Sequence, residues 1–190
     1  MPSPVIDSSE QDQALLVRFR EGDRGAFATL VNRYQKPIFN AAYRVLGNAH
    51  DASDITQEVF LKILERLDGY DVRYKFFSWI YRIAINESID LLRRTGREDP
   101  LDEDAEFAAP ESDGPESALE SSQLGRRVQR ALMGMKMDDR VILTLRHFSE
   151  CSYRDIAEVL AIDEKTVKSR LFEARQRLAE QLKDLREVRP

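Results

Sequence analysis

The sequence predicts an all-α protein: two small helical domains joined by an acidic linker. Three observations predict it. Apolar residues recur at helical spacing in both halves, while strand-like alternation is scarce. One segment, TGREDPLDEDAEFAAPESDGPESALESS over 95–122, breaks that spacing with Asp, Glu, Pro and Ser. The chain has 190 residues, room for one or two domains. The expected division is a flexible tail over 1–11, a helical domain over 12–94, the linker over 95–122 and a second helical domain over 123–185.

The first domain holds two informative helices. In Asp51 to Leu67, Ile55, Val59, Ile63 and Leu67 share an inward face. Asp51, Asp54, Glu58 and Glu65 form a separate acidic stripe with Gln57 beside it, a solvated face or a docking face for a basic partner. In Phe76 to Arg94, Phe77, Ile80, Ala84 and Leu91 form the apolar side. Trp79, Arg82, Asn86, Asp90 and Arg93 gather opposite. An aromatic, cations and an amide in one stripe suit unstacked bases and a single-strand backbone, although a Trp beside Phe76 and Phe77 equally suits a core. The loop between them, GYDVRYK over 69–75, is polar and aromatic, with the composition to hold a flipped base.

The second domain is expected to start with an amphipathic pair. Leu124, Val128, Ala131, Leu132 and Met135 form one helix. Val141, Ile142, Leu145 and Phe148 form the next, with Asp138 or Asp139 as its cap. SYRDIAEVLAIDEKTVKSRLFEARQRL over 152–178 then has the form of a helix-turn-helix. Ser152 and Asp155 make a capping box for its first helix, whose apolar face is Tyr153, Ile156, Ala157 and Leu160. Ile162 plugs the corner and Asp163 caps the second helix. In that second helix Val167, Leu171, Ala174 and Leu178 form the buried stripe. Lys165, Ser169, Phe172 and Gln176 lie opposite, with Thr166 and Glu173 beside them. Lys168 and Arg175 flank one edge and Arg170 and Arg177 the other. A helix in a major groove meets bases at its centre and phosphates at its edges, so the central residues are assigned to bases and the flanking cations to phosphates.

Net charge is −5, which at first opposes DNA binding. The distribution removes the conflict. Residues 1–94 balance 13 basic against 13 acidic side chains, whereas 95–122 set Arg97 against ten acids. Residues 123–190 carry 15 basic and 11 acidic side chains. The single cysteine excludes an internal disulfide framework. MPSPVIDSSE lacks the basic and apolar regions of a secretory signal, and no apolar run reaches membrane-spanning length, so a soluble, cytoplasmic protein with no membrane insertion is expected. His147 and Cys151 stand at H-x3-C spacing without the further ligands a zinc site needs; both are expected to be structural. The eight glycines are scattered, so no phosphate loop is present, and no nucleophile motif surrounds Cys151. The reading is non-enzymatic, without cofactor or metal.

DASDITQEVFLKI, FFSWIYRIAINESIDLLRR and SYRDIAEVLAIDEKTVKSRLFEARQRL, in this order and spacing around an acidic linker, resemble an extracytoplasmic-function (ECF) RNA polymerase sigma factor of the sigma-70 superfamily. The resemblance covers about 12–94 (region 2) and 123–183 (region 4). It implies that Asp51, Asp54, Gln57, Glu58 and Phe60 dock on the β′ clamp of core RNA polymerase and that the second domain meets the β flap. It implies that Tyr70, Arg73, Tyr74 and Lys75, in a loop that captures a flipped base, join Trp79, Arg82, Asn86, Asp90 and Arg93 on the −10 element. Lys165, Thr166, Lys168, Ser169, Arg170, Phe172, Glu173, Arg175, Gln176 and Arg177 would read the −35 duplex. The linker would thread toward the active-site cleft, and an anti-sigma factor would hold the protein inactive. Where members of that family commonly carry Gly, this chain has Glu150 and Ala161. Glu173 stands where they often have Arg; it either accepts from a cytosine amino group or pairs with Arg170 or Arg177. The alternatives are a stand-alone helix-turn-helix regulator and a module that sequesters polymerase or an anti-sigma factor. The two domains either pack together and hide both DNA surfaces or sit apart on the linker.

Overall fold

The computed structural model describes residues 9–71, 73–97 and 123–187, with side chains described as far as Lys183. Most of the expected tail and linker, residues 1–8 and 98–122, lie outside the described residues. Among the described residues the structure is all-α.

Four helices build the first half. They are α1 (Ser9–Arg20), α2 (Arg24–Leu46), α3 (Ala49–Arg66) and α4 (Phe76–Thr95). Helix α1 begins inside the stretch expected to be a tail. It does so because it has a core role: Leu15 and Leu16 are buried, and buried Asp12 accepts hydrogen bonds from the Tyr34 hydroxyl and from Arg33. Asp23 caps α2 by accepting from Gly25 N (2.9 Å), and Gly47 ends it in the left-handed region at φ 71°. Leu30, Tyr34 and Ile38 of α2 are fully buried, so this helix is the axis of the half. The predicted stripe of α3, Ile55, Val59, Ile63 and Leu67, is buried against it. Gly96 closes α4 at φ 66°.

The second half holds α5 (Gln123–Met133), α6 (Met137–Leu143) with a π turn over Thr144–Phe148, α7 (Tyr153–Leu160) and α8 (Glu164–Glu187). Helix α6 starts earlier than the sequence suggests. Its N-cap is Lys136, without a side-chain cap, so Asp138 and Asp139 fall in its first turn rather than at its cap. Asp139 instead receives Arg177 from α8 at 2.9 Å on both oxygens. Met135, expected in α5, follows it in the connecting turn and is buried there. The capping box of α7 is present, with Asp155 N donating to Ser152 Oγ (3.1 Å) and Ser152 N to Asp155 Oδ2 (3.0 Å). Val159 joins Ile156 in its buried face, ahead of the partly exposed Leu160. Asp163 caps α8 through Thr166 N (2.7 Å), and Val167, Leu171 and Ala174 are fully buried.

The two halves share one continuous core. Helix α7 lies along α4, and α5, α6 and the π turn lie against the C-terminal part of α2. The halves pack together rather than sit apart, but the packing does not hide both surfaces: the outer face of α8 stays exposed.

Candidate nucleic-acid interfaces and docking face

Helix α8 presents the second-domain surface. With its apolar stripe against α6 and α7, the opposite face is left to solvent: Lys165, Lys168, Ser169, Arg170, Phe172, Glu173, Arg175, Gln176 and Arg177 are exposed and Thr166 is half-buried. Phe172 is 63% exposed, an isolated apolar group at the middle of a polar face. The cations are not equivalent. Arg177 is held by Asp139 and by Glu173 (3.0 Å), so Glu173 pairs with Arg177 rather than Arg170. Arg175 Nε donates to His147 Nε2 at 3.1 Å. Burial first, then the adjacent Arg175 and Arg146 charges, depresses the His147 pKa, which keeps the ring neutral and its nitrogen able to accept. Among the charged side chains of this face, no intramolecular ion pair is formed by Lys165, Lys168 or Arg170 with the described residues.

The turn that sets α7 against α8 contains Ala161 at φ 52°, ψ 44°, and Glu150 precedes the motif, also at φ 52°. Both positions are left-handed, the conformation glycine adopts most readily.

The first-half surface divides along α4. Trp79 is half-buried, with its ring 4.9 Å from that of Tyr70 and 5.9 Å from Phe76. It is therefore part of an aromatic cluster and partly exposed at once. Tyr70 is buried; its hydroxyl donates to Tyr74 O (2.6 Å), which shapes the loop, and burial lifts its pKa to about 12. Arg73 folds back on Asp71 (2.6 Å), while Tyr74 is 48% exposed at the loop tip. Further along α4, Asn86, Asp90 and Arg93 are exposed, and Arg93 lies 3.9 Å from Asp90. Lys75 and Arg82, by contrast, face α7. Lys75 Nζ lies 3.0 Å from Asp155 Oδ1, and Arg82 Nη2 donates to the Glu158 backbone oxygen.

The acidic face of α3 is also uneven. Asp51 is tied to Arg97 (2.8 Å), and Glu58 to Lys62 (3.4 Å), which bridges on to Glu87 of α4 (2.6 Å). Phe60 is buried edge-on against Phe27, so it supports this helix from behind rather than standing on its surface. Asp54 and Gln57 are exposed. Leu61 and Leu64 are exposed on the same side, 55% and 44%. The sequence reading missed these two. Their signal was phase: they stand seven and ten residues after Asp54, on the polar face rather than on the Ile55–Val59–Ile63 stripe.

No helix among the described residues is long and apolar enough to cross a membrane, and no cluster of metal-ligating side chains is present among them. Cys151 is buried, and burial pushes its thiol well above the ordinary value.

Known proteins share this organisation. Residues 30–98 match the family model of sigma-70 region 2, and residues 125–178 that of sigma-70 region 4. The chain is 37% identical over 177 residues to the ECF RNA polymerase sigma factor SigW of Bacillus subtilis, covering 87% of this chain and 94% of that protein. It is 36% identical over 187 residues to the RNA polymerase sigma-H factor of Pseudomonas aeruginosa, covering 94% and 97%. Among solved structures, CnrH in complex with the cytosolic domain of CnrY aligns with TM-score 0.70 and 25% identity over 91% of this chain and 97% of that one. The sigma factor RpoE in complex with the anti-sigma factor NepR from Bartonella quintana aligns with TM-score 0.67 and 25% identity over 83% and 96%.

Proposed function

This chain belongs to the extracytoplasmic-function sigma factors of the sigma-70 family, and from that membership we propose how its surfaces divide the work of promoter recognition. It is a specificity subunit that binds core RNA polymerase and directs promoter-specific initiation. It acts in the cytoplasm and contributes no covalent step of its own.

In this reading the exposed face of α3, through Asp54, Gln57, Leu61 and Leu64, docks on the β′ clamp; Asp51, Glu58 and Phe60 hold that face in shape. Helix α8 enters the major groove at −35. Phe172, Gln176, Ser169 and Lys165 meet base edges, and Lys168, Arg170 and Arg175 meet phosphates. The loop around Tyr74 and the stripe through Trp79, Arg82, Asn86, Asp90 and Arg93 hold the melted −10 strand by stacking and polar contacts. The second domain meets the β flap, and the acidic segment threads toward the active-site cleft. An anti-sigma factor is the partner that holds the protein inactive, a role supported by the likeness to RpoE bound to NepR. The observation that carries the reading is the exposed polar face of α8 together with exposed Asn86, Asp90 and Arg93 on α4, in the halves that match regions 2 and 4.

Run-off transcription with core polymerase and the DNA upstream of the protein's own gene tests it. The wild type is expected to yield transcript. Asp54→Lys is expected to lose core binding, and Asn86→Ala to keep core binding but lose promoter melting. A chain that ignored core polymerase yet bound a promoter tightly by itself at physiological salt would be a stand-alone regulator. Core binding without transcript from any promoter would identify a sequestering module.

A further inference from the structure

Two arginines on the outer side of α8 are held in opposite ways. Arg177 lies on two carboxylates, Asp139 (2.9 Å) and Glu173 (3.0 Å), which neutralise its charge within the chain. Arg175 forms no ion pair with the described residues. Its partner is an uncharged ring: its Nε donates to His147 Nε2 at 3.1 Å. A neutral imidazole orients a guanidinium without cancelling its charge, and one bond at Nε leaves both Nη groups for a forked contact to phosphate. His147 is itself exposed, on the π turn, so DNA that reaches Arg175 also reaches the ring. We propose that His147 and Arg175 form one phosphate-binding site at the edge of the −35 surface: His147 aims the arginine in the free chain and, by taking up a proton from solvent as the duplex arrives, becomes a second donor to the same phosphate. This rests on assigning α8 to the −35 duplex.

The surroundings set the ring to respond in this direction. Burial, then the Arg175 and Arg146 charges, hold the His147 pKa below the ordinary 6.5, so the free ring is neutral at neutral pH. No carboxylate acts on the ring to oppose them. On α7, Asp155 is taken by Lys75 and Ser152, and Glu158 by Ser78 (2.8 Å) and Arg154. Arg146, on the same turn as the ring, donates to Cys151 O (2.8 Å). Two further cations are committed across the halves. Arg44 of α2 donates to Gln129 (3.0 Å) and lies 4.5 Å over the Phe148 ring, and Arg140 of α6 donates to Val45 O (3.1 Å), so each half sends one buried arginine into the other. His147 therefore meets two cations and no anion. A phosphate supplies the anion. Its charge offsets the two arginines and favours the imidazolium, and Nε2 then turns from acceptor to donor. Lys168, on the same edge of α8 as Arg175, is exposed and extends the contact along the backbone. A group whose pKa rises on binding adds affinity in full below its free value, and that gain is lost as pH climbs through its bound value.

The test uses the full chain with core polymerase and a labelled duplex that carries the −35 segment upstream of the protein's own gene and stops short of −10. Binding is read by anisotropy between pH 8 and pH 6. The wild type is expected to bind about three- to tenfold more tightly at pH 6, as uptake of one proton across this range allows. His147→Gln keeps an acceptor oxygen for Arg175 but cannot take up a proton. It is expected to match the wild type at pH 8 and to lack the gain at pH 6. His147→Ala is expected to bind more weakly at pH 8 as well, and the rescue by Gln separates aiming from packing. Ring-proton NMR of the full chain, which has two histidines, follows the same site directly. The signal missing from His147→Gln is expected to titrate below 6.5 in the free chain and higher with the duplex bound. A glutamine variant that keeps the acid gain, or a ring whose titration ignores the duplex, overturns the proposal. Duplex binding indifferent to Lys168→Ala with Arg170→Ala instead overturns the −35 assignment of α8, and the phosphate site with it.

Discussion

Glu150 and Ala161 occupy left-handed backbone on either side of α7. That conformation costs an L-residue about 1–2 kcal/mol, part of which a glycine loses again through its freer unfolded chain. Ala161→Gly and Glu150→Gly are each expected to stabilise the protein by about 0.5–1 kcal/mol, read as a higher midpoint in urea. Phe172 presents the opposite case, a side chain with almost no structural duty. Phe172→Ala is expected to leave stability within about 0.5 kcal/mol while weakening −35 duplex binding several-fold, as befits an apolar contact to a thymine methyl. Asp155 joins both roles. Burial pushes its carboxyl up, but hydrogen bonds from Ser152 and the Lys75 ammonium outweigh this and leave its pKa below the ordinary 3.8. A carboxyl lowered by folding stabilises the folded state above its unfolded pKa, and that contribution fades as pH falls through the folded value. The α4–α7 contact is therefore expected to loosen below about pH 3.8, followed by fluorescence of Trp79; Asp155→Asn should lack this acid-dependent component. The residue-level reading from sequence succeeded where one residue's neighbours lie within four positions, as for Ser152 with Asp155 and Asp163 with Thr166. It left Glu173 open because two arginines, Arg170 and Arg177, are both within helical reach of it, and only side-chain geometry chooses Arg177.

At the scale of elements, α8 is amphipathic in a way that assigns work to each face. Val167, Leu171 and Ala174 fasten it to α6 and α7, so its cations stand on a rigid support. Phosphate contacts release counterions, and each contact contributes close to one unit of salt slope. Lys168→Ala with Arg170→Ala is expected to lower the salt slope of −35 duplex binding by about 2; binding titrations from low to moderate salt measure it. The core of the first half depends on α2. Leu30 is fully buried there, and Leu30→Ala is expected to cost about 2–5 kcal/mol in denaturant unfolding, since the helix axis cannot collapse onto the cavity. Periodicity made α3, α4 and α8 legible because each has one apolar stripe. It failed at the start of α6, where Asp138 and Asp139 look like caps. The helix starts before them because Met137 is buried and Arg177 draws Asp139 away.

For the molecule as a whole, the continuous core and the exchanged arginines make the halves one unit in the free chain. Trp79, the only tryptophan, reports on the first half, whereas circular dichroism reports on every helix. The wild type is expected to show coincident urea transitions by both signals, and Arg44→Ala with Gln129→Ala to separate them. The sequence alone determined the helical class, the division around the acidic segment, and the core-facing stripes of α3, α7 and α8; it assigned no faces to α1 or α2, and it put Leu124, which is 62% exposed, on the apolar side of α5. Those properties follow from local spacing and composition. Only the tertiary structure decided what each buried face packs against. Arg44 and Arg140 are charged and would ordinarily be assigned to the surface. They are buried because partners 85 and 95 positions away in the chain supply their acceptors. The same long-range packing turned Asp155 and Glu158, legible as a helix cap and a polar side chain, into the groups that meet Lys75 and Ser78. Contacts of that separation leave no periodic trace, because they are set by where whole helices dock rather than by the order of residues within one.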